Sequence, residues 1–287
     1  MERAKVKLPI LAPDDFINAI TELKEIGKHG LKSGLGNIDE MIGGIWRDGV
    51  VISGKPGHCK TIFSLNLAFG FMQSENRVIY LDLENDRRDT IKRILLIALN
   101  RIFGKDGPTE GELIRHPEIL AHVEFWEKIY KHLQPYFSLV NAAADKRISP
   151  KTIDTWLKIA AEEIQESGKQ AILIIDSINE LSAISPLAKG LYESLERWLA
   201  EIKLLRVRYQ IPIALICHVP KDSPEQIFNP KGSSGIAHFA RTQVVIKRPG
   251  ACVVEVNIVR SQFGRTGKVR YDFDQMRLGL KEQVEYQ

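Results

Sequence analysis

The sequence has few cysteines and no metal-binding pattern built from them. Cys59, Cys217 and Cys252 are the three cysteines among 287 residues, and no two of them have the CxxC spacing of a zinc or redox motif. Their odd number does not suit a disulfide framework, and Cys217 and Cys252 lie in apolar runs that are typical of strands. We therefore expect small buried thiols in a reducing compartment.

Long hydrophobic runs are also missing. A membrane-spanning helix needs about 20 consecutive apolar residues, and no stretch of this sequence reaches that length. The N-terminus carries charged residues where a secretory signal needs an apolar run. The sequence therefore predicts a cytoplasmic protein that does not cross a membrane.

Charge of one sign is not in large excess. The chain has 40 basic and 36 acidic residues, which give a net charge of +4, without the strong basic excess of an arm that coats nucleic acid. Any nucleic-acid site must therefore come from a few placed residues. The hydrophobic fraction of 44% is sufficient for one sizeable core.

From residue 31 onward, apolar runs typical of strands alternate with amphipathic helical segments. The runs at Val50–Gly54, Ala171–Asp176 and 212–219 have no polar alternation, so we expect strands that are buried on both faces of a parallel sheet. Helices are predicted over 62–73, 86–103, 112–133, 150–167 and 187–209. Three final runs without helices between them predict an antiparallel extension. The predicted fold class is α/β, with a mainly parallel central sheet and helices on both faces.

Residues 1–30 are predicted to form an arm and a short helix that precede the main domain at 31–287. After Asp14, which can cap a helix, Phe16, Ile20 and Leu23 recur at helical spacing. This apolar stripe packs either on its own domain or on a neighbouring subunit, and the sequence favours neither.

Residues 54–61 match the phosphate-binding loop G-x-x-x-x-G-K-[ST] between a strand and a helix, except that Cys59 replaces the second glycine. Backbone N–H groups of such a loop cradle phosphates, while Lys60 would reach the β- and γ-phosphates and Thr61 would ligate Mg²⁺. The alternative is a chance glycine-rich turn. The loop either tolerates the cysteine Cβ, or nucleotide binding is slowed or abolished by it. The predicted nucleotide-binding residues are Gly54, Lys55, Pro56, Gly57, His58, Cys59, Lys60, Thr61 and Ile62.

Three polar residues at strand ends complete a candidate active site. Asp176 is placed to support Mg²⁺ opposite Thr61, and Glu84 is placed to activate the water that attacks the γ-phosphate. His218 is placed to contact the γ-phosphate. Active-site groups of open α/β sheets gather at strand ends. This favours a functional role for Glu84 over a solvated acidic turn, and a functional role for Asp176 over a cap of the next turn. For His218 a purely structural role stays equally open.

Together these motifs resemble the RecA-like ATPases, and among them the ATPase domain of DnaB-type hexameric replicative helicases, over roughly residues 31–280. "VIYLDLE" is similar to the strand of that family's catalytic glutamate, "ILIIDS" to its Mg²⁺-binding strand and "LICHVPK" to its γ-phosphate sensor. The resemblance implies a RecA-like P-loop fold with ATP and Mg²⁺ as cofactors. It also implies a homo-hexamer or other ring around single-stranded DNA, with ATP at the subunit interfaces. The RadA/Sms and KaiC-like ATPases share several of these motifs.

"VRSQFGRTGKVRYDFD" resembles the family's C-terminal hairpin, whose basic pair reaches the γ-phosphate of the neighbouring subunit. Arg260 stands at the first basic position, and Gln262 stands where the family has its arginine finger. Arg265, three residues further on, is the candidate substitute. Because an arginine finger is worth orders of magnitude in rate, Gln262 and Cys59 leave fast hydrolysis open.

The resemblance further implies that loops at the ring centre contact the DNA backbone. Lys189, Lys221 and Lys231 are the candidate contacts, and they would give affinity without sequence readout. The alternative is that they are ordinary solvated charges. The leading prediction is an ATP-dependent single-stranded-DNA translocase or helicase of the replicative type. The alternatives are a nucleotide-gated regulatory or assembly ATPase with slow or no hydrolysis, and a recombinase-like filament former.

Overall fold

The structure is a computed structural model. It describes residues 31–44, 49–116, 118, 136–141, 148–220, 234–261 and 264–283. The arm and helix predicted for residues 1–30 lie outside the described residues. The domain boundary at residue 30 therefore stays a prediction.

The helices of the described residues are delimited by local capping interactions. Asp86 caps α3 by accepting a hydrogen bond from the Arg88 N–H, and Ser149 caps α5, which has Pro150 at its first position. Gly43, in the left-handed conformation, ends α1. The helices are α1 (Gly36–Ile42), α2 (Lys60–Gln73), α3 (Arg87–Phe103), α4 (Glu110–Arg115), α5 (Pro150–Ser167), α6 (Ile178–Ile184), α7 (Leu191–Tyr209) and α8 (Ser234–Phe239).

The described strands form one sheet, in the order β3-β2-β4-β5-β1-β6-β7-β8-β9. The first six strands in this order pair in parallel, and the last three add antiparallel pairings. The predicted α/β fold with an antiparallel extension is therefore confirmed. The strands are β1 (Val50–Gly54), β2 (Arg77–Asp82), β3 (Phe137–Asn141), β4 (Ala171–Asp176), β5 (Ile213–His218), β6 (Thr242–Gly250), β7 (Val253–Arg260), β8 (Gly267–Asp274) and β9 (Gly279–Glu282).

Hydrophobic clusters lie on both faces of the sheet. On one face, α2 and α3 pack with the antiparallel strands, and almost the whole of α2 is buried. On the other face, α5, α6 and α7 pack around the fully buried Trp198. This arrangement explains why β1 and β4 are buried at every residue. Among the described residues, no helix combines the length and apolar character needed to cross a membrane.

Two predicted helices differ from the observed ones. The helix predicted over 112–133 is wrong in its first residues, because α4 ends at Arg115 and Pro117 disfavours a helical conformation in the residue before it. Residues 119–133 of that prediction lie outside the described residues. The helix predicted from residue 187 begins at Leu191. The segment directly after Asp176, for which no helix was predicted, forms α6, and its N-cap residue Ser177 accepts a hydrogen bond from the Glu180 N–H.

The prediction of buried thiols is correct for only one cysteine in an apolar run. Cys217 is fully buried in β5, whereas Cys252 is exposed at the turn between β6 and β7. Cys59, in the phosphate loop, is partly exposed. The apolar run that contains Cys252 begins in the turn, so its first residue lies outside the core.

Two glycines allow α1 and the segment just before it to pack tightly against their neighbours. A Cβ on Gly70 of α2 would lie 1.6 Å from the Ser33 carbonyl oxygen, and one on Gly264 would lie 1.9 Å from the Met41 carbonyl oxygen. The Arg265 N–H also donates to the Met41 carbonyl at 2.6 Å. The segment of α1 is therefore fixed both to α2 and to the turn that joins β7 and β8.

Candidate functional site

The sheet brings the predicted site residues to one edge. Parallel pairing places Asp82 opposite Asp176 and Gly54 opposite His218. Glu84 follows β2 by two residues. The carboxyl ends of four neighbouring strands therefore supply the predicted metal ligand, base, γ-phosphate sensor and phosphate loop, at the position where open α/β sheets bind ligands.

The phosphate loop joins β1 to the N-terminus of α2. Cys59 adopts a left-handed conformation with φ of 64°, a region that glycine occupies without strain. A Cβ on Gly54 would lie 2.6 Å from the Ile246 carbonyl oxygen, so only glycine fits there beside β6. His58 lies 3.3 Å from the same carbonyl through Nδ1. The loop is thus held against β6 with its backbone in a glycine-like path.

Lys60 lies inside the loop rather than in solvent. It is 7% exposed, and its Nζ donates to the Lys55 carbonyl at 3.1 Å. Burial lowers the pKa of Lys60, and the nearby carboxylates of Glu84 and Asp176 oppose that shift. Negative charge from a bound phosphate would stabilise the ammonium in the same way.

Asp176 is a fully buried carboxyl at the end of β4. The Tyr80 hydroxyl donates to its Oδ2 at 3.0 Å. Burial raises the pKa of Asp176 to about 7, with Glu84 and Asp82 adding to the rise, while hydrogen bonds from Thr61 and Tyr80 oppose it. The ammonium of the nearby Lys60 does not offset the cost of burying this charge, so the pKa of Asp176 stays raised.

These properties fit a magnesium site. Thr61 and Asp176, the two predicted metal residues, contact each other, and Mg²⁺ prefers hydroxyl, carboxylate and water oxygens. A divalent cation would add further positive charge beside the buried carboxylate. Among the described residues there is no cluster of three or more His, Cys, Asp or Glu side chains that could hold a metal alone, which suits an ion completed by phosphate oxygens and water.

Glu84 and His218 form a close pair at the mouth of the site. Their side chains are 26% and 23% exposed, and His218 Nε2 lies 2.6 Å from Glu84 Oε1. Burial alone would raise the pKa of Glu84, but hydrogen bonds from His218 and Ser177 and the charge of Lys60 bring it below its usual value. Glu84 is therefore ionised at neutral pH and hydrogen-bonded to the predicted sensor.

His218 is also tied to the helix that follows Asp176. Its backbone N–H donates to the Asn179 Oδ1 at 3.1 Å. Its Nδ1 is buried and has no hydrogen-bond partner among the described residues. The ring is thus fixed on one side by Glu84 and keeps one polar atom for further contact.

A set of residues not predicted from the sequence shapes the segment that carries Glu84. The fully buried Asp82 accepts hydrogen bonds from the Glu84 and Asn85 N–H groups at 3.1 and 3.0 Å and from the Thr90 hydroxyl. Arg93 donates to the Asn85 Oδ1 at 2.8 Å. The sequence carried one signal for Asp82, its place two residues before Glu84, but none for Arg93, which depends on the phase of α3.

The phosphate loop opens into a cavity of about 580 Å³, which is within the size range of small-molecule sites. Its walls come from the loop, the start of α2, the strand ends, α3, α4 and the turn before β9. The lining residues are Pro56, Gly57, Cys59, Lys60, Thr61, Ile62, Glu84, Asp89, Lys92, Arg93, Glu110, His218 and Leu278.

The predicted trans-acting arginines do not belong to this cavity. Arg260 ends β7 opposite Gln243, and Gln243 pairs with Val51, three residues before the phosphate loop begins. Arg260 therefore lies toward the opposite edge of the sheet. Arg265 is exposed beside Glu40, with 3.7 Å between the charged groups. Gln262 lies outside the described residues.

Of the predicted DNA contacts, Lys189 alone belongs to the described residues, and it does not line the cavity. Lys189 is exposed in the bend between α6 and α7. Lys221 and Lys231 lie outside the described residues, so their predicted role is untested. Lys189 also remains a prediction.

Comparison with known proteins identifies the architecture. A family model described as an AAA domain matches residues 22–224. A solved ATPase domain, 18% identical, aligns over 95% of this chain and 99% of its own, with a TM-score of 0.74. A DnaB-like replicative helicase, solved in a study of its interactions with primase, is 17% identical and aligns over 96% of this chain and 68% of its own, with a TM-score of 0.72.

A KaiC-like protein from the hyperthermophilic archaeon Pyrococcus horikoshii, also 17% identical, aligns over 89% of this chain and 99% of its own, with a TM-score of 0.58. No curated protein matches the chain. At these identities the solved structures show a shared fold, whereas function must be argued from the site.

Proposed function

This chain belongs to the AAA domain family of P-loop ATPases, and we propose that it hydrolyses ATP between subunits of a ring that moves along single-stranded DNA. The observation that carries the proposal is that Lys60, Thr61, Glu84 and His218 line one cavity at the carboxyl edge of the sheet. Asp176 ends the strand beside them and contacts Thr61. Their chemistry matches the parts that phosphoryl transfer requires.

Each residue has a role that follows from its environment. The loop N–H groups and Lys60 bind the β- and γ-phosphates, and the Thr61 hydroxyl and Asp176 hold Mg²⁺, which neutralises phosphate charge when bound. Glu84 is ionised at neutral pH because its pKa is lowered, so it can accept a proton from the attacking water.

The Glu84–His218 hydrogen bond makes this base responsive to nucleotide. While His218 Nε2 occupies Glu84 Oε1 at 2.6 Å, that oxygen is not free to orient water. A γ-phosphate oxygen is a strong acceptor that competes for the imidazole N–H. Binding of ATP would then free Glu84 from His218 when Glu84 is needed as the base.

In the proposed ring, Arg260 and Arg265 would act on the neighbouring subunit. Arg260 lies toward the sheet edge opposite the chain's own phosphate loop, and Arg265 is 81% exposed. Both positions suit action on the site of a neighbouring subunit, with Mg²⁺–ATP at the interface. Lys189, Lys221 and Lys231 would contact the DNA backbone, and a ring would multiply these weak contacts.

A second candidate function rests on Cys59. Its Cβ stands in a left-handed position of the phosphate loop, where close approach to phosphate is easiest for glycine. A nucleotide-gated regulatory or assembly module with slow or no hydrolysis would use the same fold, and the likeness to a KaiC-like protein is compatible with it.

ATP turnover with and without single-stranded DNA separates these functions. We expect DNA to raise turnover in the wild type, Lys60→Ala to abolish it, and Glu84→Gln to retain ATP binding without turnover. Lys158→Ala is the matched control, because this lysine is exposed on the outer face of α5 beside Glu162. ATP binding without turnover or DNA stimulation would contradict the motor and support the gated module.

Mixing two inactive variants tests the ring. If Arg260 acts on a neighbour, a mixture of Arg260→Ala and Glu84→Gln contains interfaces with an intact loop and an intact arginine, and turnover reappears. A mixture that stays as inactive as its separate components, although the subunits exchange, would contradict action between subunits.

A further inference from the structure

Arg93 reaches the cavity from α3, and no role in phosphate, metal or water binding has been assigned to it above. It lines the same cavity as Lys60 and Glu84. It also lies three residues after Thr90, whose hydroxyl donates to Asp82. Residues three apart lie on the same face of a helix. Arg93 therefore lies on the face of α3 that meets the segment carrying Glu84.

The Arg93 guanidinium is held by the residue next to Glu84. Its Nη1 donates to the Asn85 Oδ1 at 2.8 Å, and the Asn85 Nδ2 donates to Asp82 Oδ1 and Oδ2 at 3.0 and 3.2 Å. Because a guanidinium only donates and a carboxylate only accepts hydrogen bonds, these contacts determine the orientation of the amide. The Asn141 Nδ2 also donates to the Asn85 carbonyl at 2.6 Å. Asn85 is therefore a support for Arg93 that is itself fixed by two neighbouring residues.

This support is a neutral amide, so it does not offset the positive charge of Arg93. The preceding residue, Lys92, has different contacts. Its Nζ lies 2.8 Å from Glu110 Oε1 and 3.4 Å from Asp89 Oδ1, so two carboxylates offset its charge. The hydrogen bond to Asn85 also uses only one of the five N–H groups of a guanidinium. Arg93 can therefore donate to an anion in the cavity while it stays attached to Asn85.

The direction of the Arg93 side chain follows from its place on α3. This helix begins at Arg87, three residues after Glu84, at the carboxyl edge of the sheet. Long side chains of a helix extend toward its N-terminus, so the guanidinium lies toward the strand ends, where Asn85 holds it. Glu84 is the group proposed to activate the attacking water. Arg93 is therefore positioned beside the phosphoryl group that this water would attack.

We propose that Arg93 is a catalytic residue that contacts the transferred γ-phosphoryl group within its own subunit, and that Asn85 is its positioning residue. This inference rests on the proposed ATP hydrolysis. During transfer, negative charge is spread over the three equatorial oxygens of the phosphoryl group. A guanidinium fixed before the reaction stabilises that charge without having to reorganise. Arg93 acts in addition to Arg260, which is proposed to act from the neighbouring subunit.

The ratio of ATP affinity to ADP affinity measures a contact with the γ-phosphate. Measuring it in the Glu84→Gln background, in which ATP should bind without turnover, removes any effect that Arg93 exerts through the base. We expect Arg93→Ala to lower the ratio about tenfold, because a charged hydrogen bond to phosphate is lost, and to leave ADP affinity within about twofold. Arg87→Ala removes the same charge from an exposed position of α3 that does not line the cavity. This matched control should leave the ratio unchanged.

Turnover is the second readout, and Arg93→Gln is the second variant. Glutamine keeps a polar side chain with N–H donors but carries no charge, so it gives an answer even if Arg93→Ala fails to fold. With Glu84 intact, we expect both variants to lower kcat about 100-fold or more with little change in KM. Arg87→Ala should keep the kcat of the wild type.

Mixed rings show which subunit Arg93 serves. Under this inference Arg93 and Glu84 of one subunit belong to the same site, so a mixture of Arg93→Ala and Glu84→Gln contains no intact site. Its turnover should stay as low as that of its components. The mixture of Arg260→Ala and Glu84→Gln, which should regain turnover, is the control. Turnover that reappears in the first mixture would overturn the assignment of Arg93 to its own subunit.

The outcomes separate this inference from the proposed function. An unchanged affinity ratio in both Arg93 variants would overturn the contact with phosphate, whether turnover is kept or is lost through Glu84, and would leave the proposed ATP hydrolysis standing. If the wild type binds ATP no more tightly than Lys60→Ala, the nucleotide site itself is refuted, and the role of Arg93 falls with it.

Discussion

Binding of Mg²⁺ to this protein should compete with a proton on Asp176. Burial holds the pKa of this carboxyl at about 7, against an ordinary value of 3.8. Below pH 7 the group is mainly protonated and neutral, and a metal ligand must be deprotonated. The metal contribution to nucleotide affinity should therefore rise with pH through the neutral range.

The size of the effect follows from the ionised fraction. With a pKa near 7, about one tenth of Asp176 is ionised at pH 6, about half at pH 7 and about nine tenths at pH 8. The affinity gained on adding Mg²⁺ should therefore increase about tenfold from pH 6 to pH 8, which corresponds to about 1.4 kcal/mol. At pH 7, binding should release about half a proton from this group.

The same shift has a consequence for stability in the absence of metal. The folded-state pKa of Asp176 lies above its unfolded value, so the folded state binds the proton more tightly. Its contribution to the free energy of unfolding is fully present below about pH 4 and is lost as pH rises through about 7. Mg²⁺ with nucleotide should restore part of that stability at high pH.

Isothermal titration of ADP with and without Mg²⁺, repeated in buffers of different ionisation enthalpy, measures both affinity and proton release. Asp176→Asn is the reference, because it keeps the side-chain shape and cannot titrate. Any pH dependence measured in this variant therefore comes from the nucleotide itself. If the Mg²⁺-dependent gain in the wild type follows the same pH profile as in Asp176→Asn, the buried carboxyl is not the competing group and the reasoning is refuted.

Two further predictions concern glycine-like positions. Cys59→Gly removes a Cβ from a left-handed residue of the phosphate loop, so ATP affinity should rise about threefold or more. The unfolding free energy should change by no more than about 1 kcal/mol, because glycine also gains freedom in the unfolded chain. Unchanged or weaker ATP affinity in an equilibrium binding measurement would contradict this. Gly70→Ala places a methyl group 1.6 Å from a backbone oxygen, so urea denaturation should show a loss of about 2–3 kcal/mol. Gly250→Ala, where the added atom meets nothing within 4 Å, is its control and should change the unfolding free energy by less than about 0.5 kcal/mol, and equal losses in the two variants would argue against the steric cause.

The parts of the fold that depend on local pattern were predictable from the sequence. Uninterrupted apolar runs correctly indicated the buried strands β1 and β4, since strands covered on both faces need no polar alternation. The spacing around Lys60 placed the loop between a strand and a helix. The apolar runs also indicated that Glu84, Asp176 and His218 lie at strand ends, whereas the sheet order shows that the three strands are neighbours.

The remainder depended on geometry that spacing does not carry. The short helix α6 is too brief for its periodicity to be recognised beside the loop signal of Ser177. The strand β9 follows Leu278, whose left-handed backbone a sequence pattern does not indicate. Arg93 lines the site because of the face that α3 turns toward the cavity. Glu110 lines it because the start of α4 is hydrogen-bonded to the turn before β9. Such tertiary placement has no signature in one sequence.

The attachment of the β7–β8 turn to α1 determines how the protein can move. Gly264 lies in van der Waals contact with the Met41 carbonyl, and the Arg265 N–H is hydrogen-bonded to it. The backbone that carries Arg265 therefore cannot swing as an independent finger without detaching from α1. In a ring, engagement and release of this arginine would require rotation of the whole subunit as a rigid body. A rotation at one interface would then tilt the subunit at the next interface, and this mechanical coupling would determine the order in which the sites hydrolyse ATP.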